Sequence, residues 1–284
     1  MQKHLKKMLE EKQLVYAPGV FDALTAKIAE ANGFPAIYIT GYGTAAAQFG
    51  YPDIGLLTMT EMVENAKRIA DAVSLPIICD ADTGYGNPIN VYRTVREFEK
   101  AGVSAIHIED QEWPKRCGHM SGKKLIKTED MTAKIKSALD ARLKSDFLII
   151  ARTDAIGVLG FEQAVERANL YAETGADLIF MDAPTSREQV EKIPALVAAK
   201  PNVLNLGPLT PNIPAVELEK MGYAVVIYSG ICLAAVITAL MKELESLKRK
   251  GAQPDFSEWA QSFSGLNEFL GVNKFRELEN LYQS

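Results

Sequence analysis

The sequence predicts an α/β chain folded as a (β/α)₈ barrel with a helical extension at its C-terminal end. Three observations carry this. Eight short apolar, β-branched runs recur along the chain, amphipathic segments separate them, and several of those segments stop at a glycine just before the next run. The runs are residues 15–20, 36–40, 76–80, 105–110, 147–153, 178–182, 202–206 and 224–228. Each is close to continuously hydrophobic, as a strand buried on both faces of a parallel sheet must be. Between them, residues 89–100 show the helical pattern, with Val91, Val95 and Phe98 on one side. Asn32-Gly33, Ala101-Gly102, Thr174-Gly175 and Met221-Gly222 supply stops, because glycine is the usual left-handed helix terminator. Eight such units in 284 residues suit a closed barrel better than a doubly wound sheet.

The barrel is expected over residues 1–242 and the extension over 243–284. Residues 243–251 read as a charged helix end, broken at Ala252-Gln253-Pro254-Asp255. Beyond it, Phe256, Trp259, Phe263, Leu266, Phe269, Leu270, Phe275, Leu278 and Leu281 form an apolar stripe that needs a partner surface. That surface is either the chain's own barrel or a neighbouring subunit.

With 48% hydrophobic and 24% charged residues the chain reads as globular. A net charge of −5 argues against a nucleic-acid or membrane-surface partner, although Lys115, Arg116, Lys123 and Lys124 form a local basic cluster able to attract a small anion. Three cysteines make no disulfide framework, which fits a reducing cytoplasm; Cys79 and Cys232 lie in apolar runs and read as small buried hydrophobes. The opening Met1–Met8 segment lacks the apolar core of a secretory signal, and no run reaches bilayer length.

Polar residues gather where the strands end, which in this fold is where catalytic groups lie. Asp80 and Asp82, His107 and Glu109, and Arg152 and Asp154 are three successive pairs two residues apart, a spacing that aims both members the same way in extended chain. One such pair is an ordinary cap or salt bridge; three in succession point to a site. Carboxylates without a His or Cys cluster at ligand spacing suit Mg²⁺, with Mn²⁺ as a substitute, rather than zinc. Asp80, Asp82 and Glu109 are the candidates, with Asp53 as a fourth; Asp110 is held outside the site as a strand-end cap. Arg152 closes an apolar run, so its planar fork must be paired, either internally to Asp154 or Glu109 or to a substrate carboxylate. Cys117 sits in Lys115-Arg116-Cys117-Gly118-His119, and the neighbouring cations are expected to lower its pKa from about 8.5. Gly118 and Gly122 let that loop close over a ligand. In Tyr38-Ile39-Thr40-Gly41-Tyr42-Gly43-Thr44, the glycines allow a close backbone approach, and Tyr42 is expected to face the site.

These residues resemble the isocitrate lyase and phosphoenolpyruvate mutase superfamily over about residues 15–228. The resemblance rests on Ala17-Pro18-Gly19-Val20-Phe21-Asp22-Ala23, Asp80-Ala81-Asp82-Thr83-Gly84-Tyr85-Gly86, His107-Ile108-Glu109-Asp110, Lys115-Arg116-Cys117-Gly118-His119 and Ala151-Arg152-Thr153-Asp154-Ala155. The cysteine motif is similar to that of the carbon–carbon lyase branch, and the short chain to its 2-methylisocitrate and 2,3-dimethylmalate lyases. The resemblance implies that Asp80 binds Mg²⁺ directly, with Asp53, Asp82 and Glu109 holding it through waters. It implies Cys117 as the acid–base thiol, Arg152 as the clamp on a di- or tricarboxylate substrate, and Tyr38, Thr40, Gly41 and Tyr42 around the pyruvate-like end. His107 joins the catalytic set; Lys115, Arg116, Gly118, His119, Asp182 and Asn205 join the substrate set. It implies a homotetramer whose terminal helix is exchanged between subunits. The expected reaction is cleavage of a substituted malate- or isocitrate-type acid to an α-keto acid, through an enediolate that Cys117 protonates. Oxaloacetate hydrolysis or decarboxylation, phosphonopyruvate chemistry and non-catalytic carboxylate binding are the alternatives. Two departures leave the second carboxylate's binding open. The stretch Asn205-Leu206-Gly207-Pro208-Leu209-Thr210-Pro211 lacks the glutamate of the usual Asn-x-x-Glu pattern, and Asp182 stands where many relatives carry glutamate.

Overall fold

The computed structural model describes residues 4–252 and 262–283. Eight parallel strands, β1 (Val15–Val20), β2 (Ile37–Ile39), β3 (Ile77–Asp80), β4 (Ala105–Glu109), β5 (Leu148–Thr153), β6 (Leu178–Met181), β7 (Asn202–Asn205) and β8 (Tyr223–Tyr228), close in sequence order into a barrel. The last strand pairs back on the first through Val15↔Val225 to Pro18↔Tyr228. The expected strands match these within two residues at each end.

Strand parity divides the apolar residues into two cores. One fills the barrel: Val15, Ala17, Tyr38, Ile78, Ala105, Leu148, Ile150, Leu178, Phe180, Val203, Val225 and Ile227 point inward. The short helix Leu5–Glu10 adds Leu5 and Met8 to that core. The alternate residues, such as Ile37, Cys79, Ile106, Ile149 and Ile179, point outward against the helices. Helix Pro88–Ala101 illustrates why the outer layer forms: Asn87 caps it by accepting from the Ile89 and Asn90 amides, and Val91, Val95 and Phe98 are fully buried.

The parity sets up the site. Moving two residues further along each strand from the filled interior reaches Asp80 after Ile78, His107 and then Glu109 after Ala105, and Arg152 after Ile150. The same step reaches Asp182 after Phe180, Asn205 after Val203 and Ser229 after Ile227. A layer of polar groups therefore caps an apolar plug at the carboxyl end of the barrel.

The chain divides into two compact units, Met1–Ala234 and Ala235–Ser284. In the second, the helix Ile231–Lys250 continues to its end and the helices Phe263–Phe269 and Val272–Tyr282 follow. Phe263, Leu266, Leu270, Phe275, Leu278 and Leu281 are exposed, whereas Phe256 and Trp259 of the expected stripe lie outside the described residues. Cys79 is buried as expected, and Cys232 is half-buried. No helix among the described residues is long and apolar enough to cross a membrane.

Candidate active site

A cavity of about 250 Å³ opens at the carboxyl end of the strands. Tyr38, Thr40, Tyr42, Asp53, Asp80, Lys115, Cys117, Gly118, His119, Met120, Arg152, Asp182, Asn205, Pro208, Ser229 and Gly230 line it. Its size suits a small acid rather than a nucleotide. Of the residues expected at the site, Gly41, Asp82, His107 and Glu109 are buried outside this lining, while Arg116 is exposed and does not line it.

Asp80 stands at the centre of the carboxylate group. Its Oδ1 accepts the Asp82 amide at 2.9 Å and lies 3.6 Å from His107 Nε2, and its Oδ2 accepts from Tyr38 Oη at 3.5 Å. Burial opposes its charge, but His107, Lys115 and Arg152 outweigh that and hold its carboxyl down at about 2. Gly41 allows this crowding, because a Cβ there would lie 2.7 Å from Asp80 Oδ2. The neighbouring Thr40 caps the turn that follows, accepting the Gly43 amide.

Asp82 corrects one expectation. It is beyond the end of β3, with φ at 47°, so a turn closed by its own amide on Asp80 brings the two carboxylates together, not strand parity. Lys115 is buried between Asp53 (2.5 Å) and Asp82 (2.7 Å). Despite Lys115, burial and the nearby Asp80 and Asp53 push the Asp82 carboxyl up to about 7.

Glu109 and Arg152 face one another across the β4–β5 ladder. The Arg152 fork donates from Nε and Nη2 to the two oxygens of Asp154, at 3.0 and 3.1 Å, and Nη2 also reaches Asp182 Oδ2 at 2.9 Å. Glu109 Oε2 is 3.4 Å from Nε. Arg152 is thus held internally, above the Phe180 ring at 5.2 Å. Asp110 stays outside the site as expected. It accepts from Thr153, Tyr171, Arg167 and the Asp154 amide, and so fixes the strand end that carries Asp154.

Tyr38 Oη lies 2.8 Å from His107 Nε2. Burial raises the Tyr38 pKa and lowers that of His107 to about 4, so phenol and imidazole are both neutral. A proton on His107 Nε2 satisfies Tyr38 as acceptor and leaves the phenol proton to donate toward Asp80; the partnerless Nδ1 is then a bare lone pair, not an orphaned N–H.

Cys117 gives the second correction. Its thiol is raised, not lowered, because burial outweighs the His119 amide that favours the thiolate. The three expected cations fail for separate reasons. Lys115 is spent on Asp53 and Asp82, Arg116 is exposed, and burial keeps His119 neutral by lowering its pKa. Cys117 is therefore a protonated thiol on the cavity wall, held by its amide donating to the Asp53 carbonyl at 3.0 Å. Gly118 packs so tightly against Asp182, Arg152 and Asp154 that any Cβ would collide with all three.

The oxygen donors of Asp53, Asp80, Asp82 and Glu109 fit a hard cation. All four are buried, and Glu109 Oε1 has no partner within the protein. Among the described residues no three such side chains converge as direct ligands would, which is compatible with a Mg²⁺ ion that binds one carboxylate and keeps its waters toward the rest. Ser229, Met120 and Phe180 were not anticipated, and Lys123 was expected only as part of the basic cluster. Ser229 and Phe180 were within reach of strand parity, Ser229 two residues beyond Ile227 and Phe180 two before Asp182, but Met120 and Lys123 depend on how the loop folds back.

The family model described as phosphoenolpyruvate phosphomutase matches residues 5–248. The chain belongs to the phosphoenolpyruvate mutase and isocitrate lyase superfamily. Within the superfamily it is 43% identical over 280 residues to the 2,3-dimethylmalate lyase of Eubacterium barkeri, covering 98% of this chain and 96% of that one. A solved oxaloacetate acetylhydrolase in complex with 3,3-difluorooxalacetate superposes with a TM-score of 0.93 at 37% identity, covering 100% of this chain and 97% of that one. A phosphonopyruvate hydrolase solved with oxalate and Mg²⁺ superposes with a TM-score of 0.88 at 31% identity, covering 99% and 98%. The superfamily barrel is the one described above, and the protein is an enzyme of the superfamily's lyase type.

Proposed function

We propose that the protein is a Mg²⁺-dependent carbon–carbon lyase that cleaves an alkyl-substituted malate-type 2-hydroxy diacid into an α-keto acid and a second carboxylate. The observation that carries the reading is the protonated Cys117 thiol on the same small cavity as Asp80 and Arg152. Asp80 would hold the ion directly, with Asp53, Asp82 and Glu109 around it. When bound, the ion supplies Lewis-acid stabilisation of developing negative charge on oxygen.

The chain's own groups supply the rest. Arg152, rigid on Asp154 and Phe180, presents positive charge to the substrate's carboxylate and to the fragment that leaves. The Tyr38 phenol, kept neutral by burial, turns its one proton from Asp80 to a substrate oxygen. As the carbon–carbon bond breaks, the substrate hydroxyl loses its proton to water and becomes the keto oxygen, the departing fragment takes the bond's electron pair onto carbon, and Cys117 delivers its proton there, regaining one from water afterwards.

Charge on the walls supports a diacid over a tricarboxylate. The basic side chains lining the cavity are Lys115, Arg152 and His119. The first two are already paired with carboxylates and the third is neutral. A third substrate carboxylate would face Asp182, whose Oδ1 is buried without a partner. Tyr42, Met120 and Pro208 offer apolar surface to alkyl groups instead. The exposed apolar residues of the second unit support a homo-oligomer, and we take the implied tetramer as part of the same proposal.

Oxaloacetate hydrolysis is the second reading, favoured by the likeness to the acetylhydrolase across the whole chain. A panel separates the two. Keto-acid release is measured from 2,3-dimethylmalate, 2-methylisocitrate and phosphonopyruvate, and oxalate formation from oxaloacetate, all with Mg²⁺ present. The highest kcat/KM is expected with the dimethylated diacid, and preferred turnover of oxaloacetate would transfer the assignment to the hydrolase.

A further inference from the structure

We propose that Lys123 is a positioning residue that latches the Cys117 loop to the barrel and sets the thiol and the Arg152 fork from one shared oxygen. The loop leaves β4 and returns as a narrow ribbon, with a bridge between Gln111 and Leu125 and the Glu112 amide bonded to the Lys124 carbonyl at 2.8 Å. The ribbon places the base of the loop but does not fix its tip. The Cys117 amide on the Asp53 carbonyl and the Lys115 ion pairs hold one side of the tip, and Lys123 holds the other with one side chain. That side chain is 4% exposed, and the ammonium donates both to the carbonyl of Gly118, next to Cys117, and to Asp154 Oδ1 at 3.1 Å.

Asp154 Oδ1 is also the oxygen that accepts Arg152 Nη2. One carboxylate oxygen therefore receives the latch from the loop and the fork from β5, while Asp154 is itself fixed by its amide on Asp110. Lys123 and Arg152 together hold the Asp154 carboxyl well below its ordinary range, so it stays charged and able to serve both. The bare backbone of Gly118 is what allows the tip to come down onto Arg152, Asp154 and Asp182. A basic residue in a basic run thus turns inward for a structural purpose tied to catalysis, since loss of the latch frees the thiol without removing any group that touches substrate. The kinetic part of the inference rests on Cys117 being the acid; the loop geometry does not.

The test is made on the full-length protein without ligand. Iodoacetamide alkylation of Cys117 is followed by mass spectrometry of its peptide across a pH series and expressed per thiolate. Lys123→Met should raise that rate by at least about tenfold, as expected for the loss of one charge-assisted hydrogen bond. Lys123→Arg should stay near the wild-type rate. Amide exchange over residues 112–124 should rise in Lys123→Met in parallel, and by more than in the barrel strands. Should Lys123→Met fail to fold, Lys123→Gln, which keeps a donor for Gly118 but no charge for Asp154, should alkylate faster than the arginine variant. Unchanged alkylation and exchange in a folded Lys123→Met or Lys123→Gln protein would overturn the latch. Because neither readout needs turnover, they stay informative even where no diacid is cleaved.

Discussion

Cys117→Ser should lower keto-acid release by about 10²–10⁴-fold, the range over which one positioned proton transfer contributes. Serine occupies nearly the same volume, and the loop keeps its backbone bond to Asp53, so the cavity should persist. What changes is acidity, since an alcohol gives up its proton far less readily than a thiol. The structure sharpens this expectation by reversing the usual view of a loop cysteine flanked by cations. Burial raises the thiol, so the group rests in the protonated form that an acid needs. Steady-state kinetics, with oxalate binding measured alongside, separates the loss of a proton donor from the loss of the site. Full turnover by the serine variant would remove Cys117 from the mechanism.

Arg152→Met should cost about 3–5 kcal/mol of stability, the effect of removing one partner from a buried ion cluster. Arg152 is only 7% exposed and stands among Glu109, Asp154 and Asp182, each at most 1% exposed. Methionine fills the volume but leaves those carboxylates facing one another, with only Lys123 still on Asp154. Activity should vanish with the fork. A denaturant midpoint close to that of the wild type would mean that Arg152 is not needed to hold these side chains together.

The barrel was legible because a parallel strand buried on both faces must be apolar throughout, and glycine stops mark where several of the helices return. The polar crown was legible for a related reason. Asp80, His107, Glu109, Arg152, Asp182 and Asn205 each follow an inward-facing apolar residue by two positions or continue such a series. Parity fails once the chain leaves the strand, and there the sequence misled. Asp82 approaches Asp80 through a left-handed turn. Lys115, Arg116 and Cys117 are adjacent in sequence, yet one ammonium is buried on two carboxylates, the next cation is exposed, and the thiol is raised by burial. Nothing in a run of like charges tells which side chain will turn inward; the acceptors do, and here they come from the segment around Asp53 and from two strand ends.

The most direct measurement is Mg²⁺ titration of the metal-stripped protein, reading α-keto acid released from 2,3-dimethylmalate. No release is expected in excess chelator, with release restored on adding Mg²⁺ and lost again in an Asp80→Asn variant. Equal release with and without chelator, or none at any Mg²⁺ concentration from any malate-type diacid while oxalate still binds, would contradict the assignment.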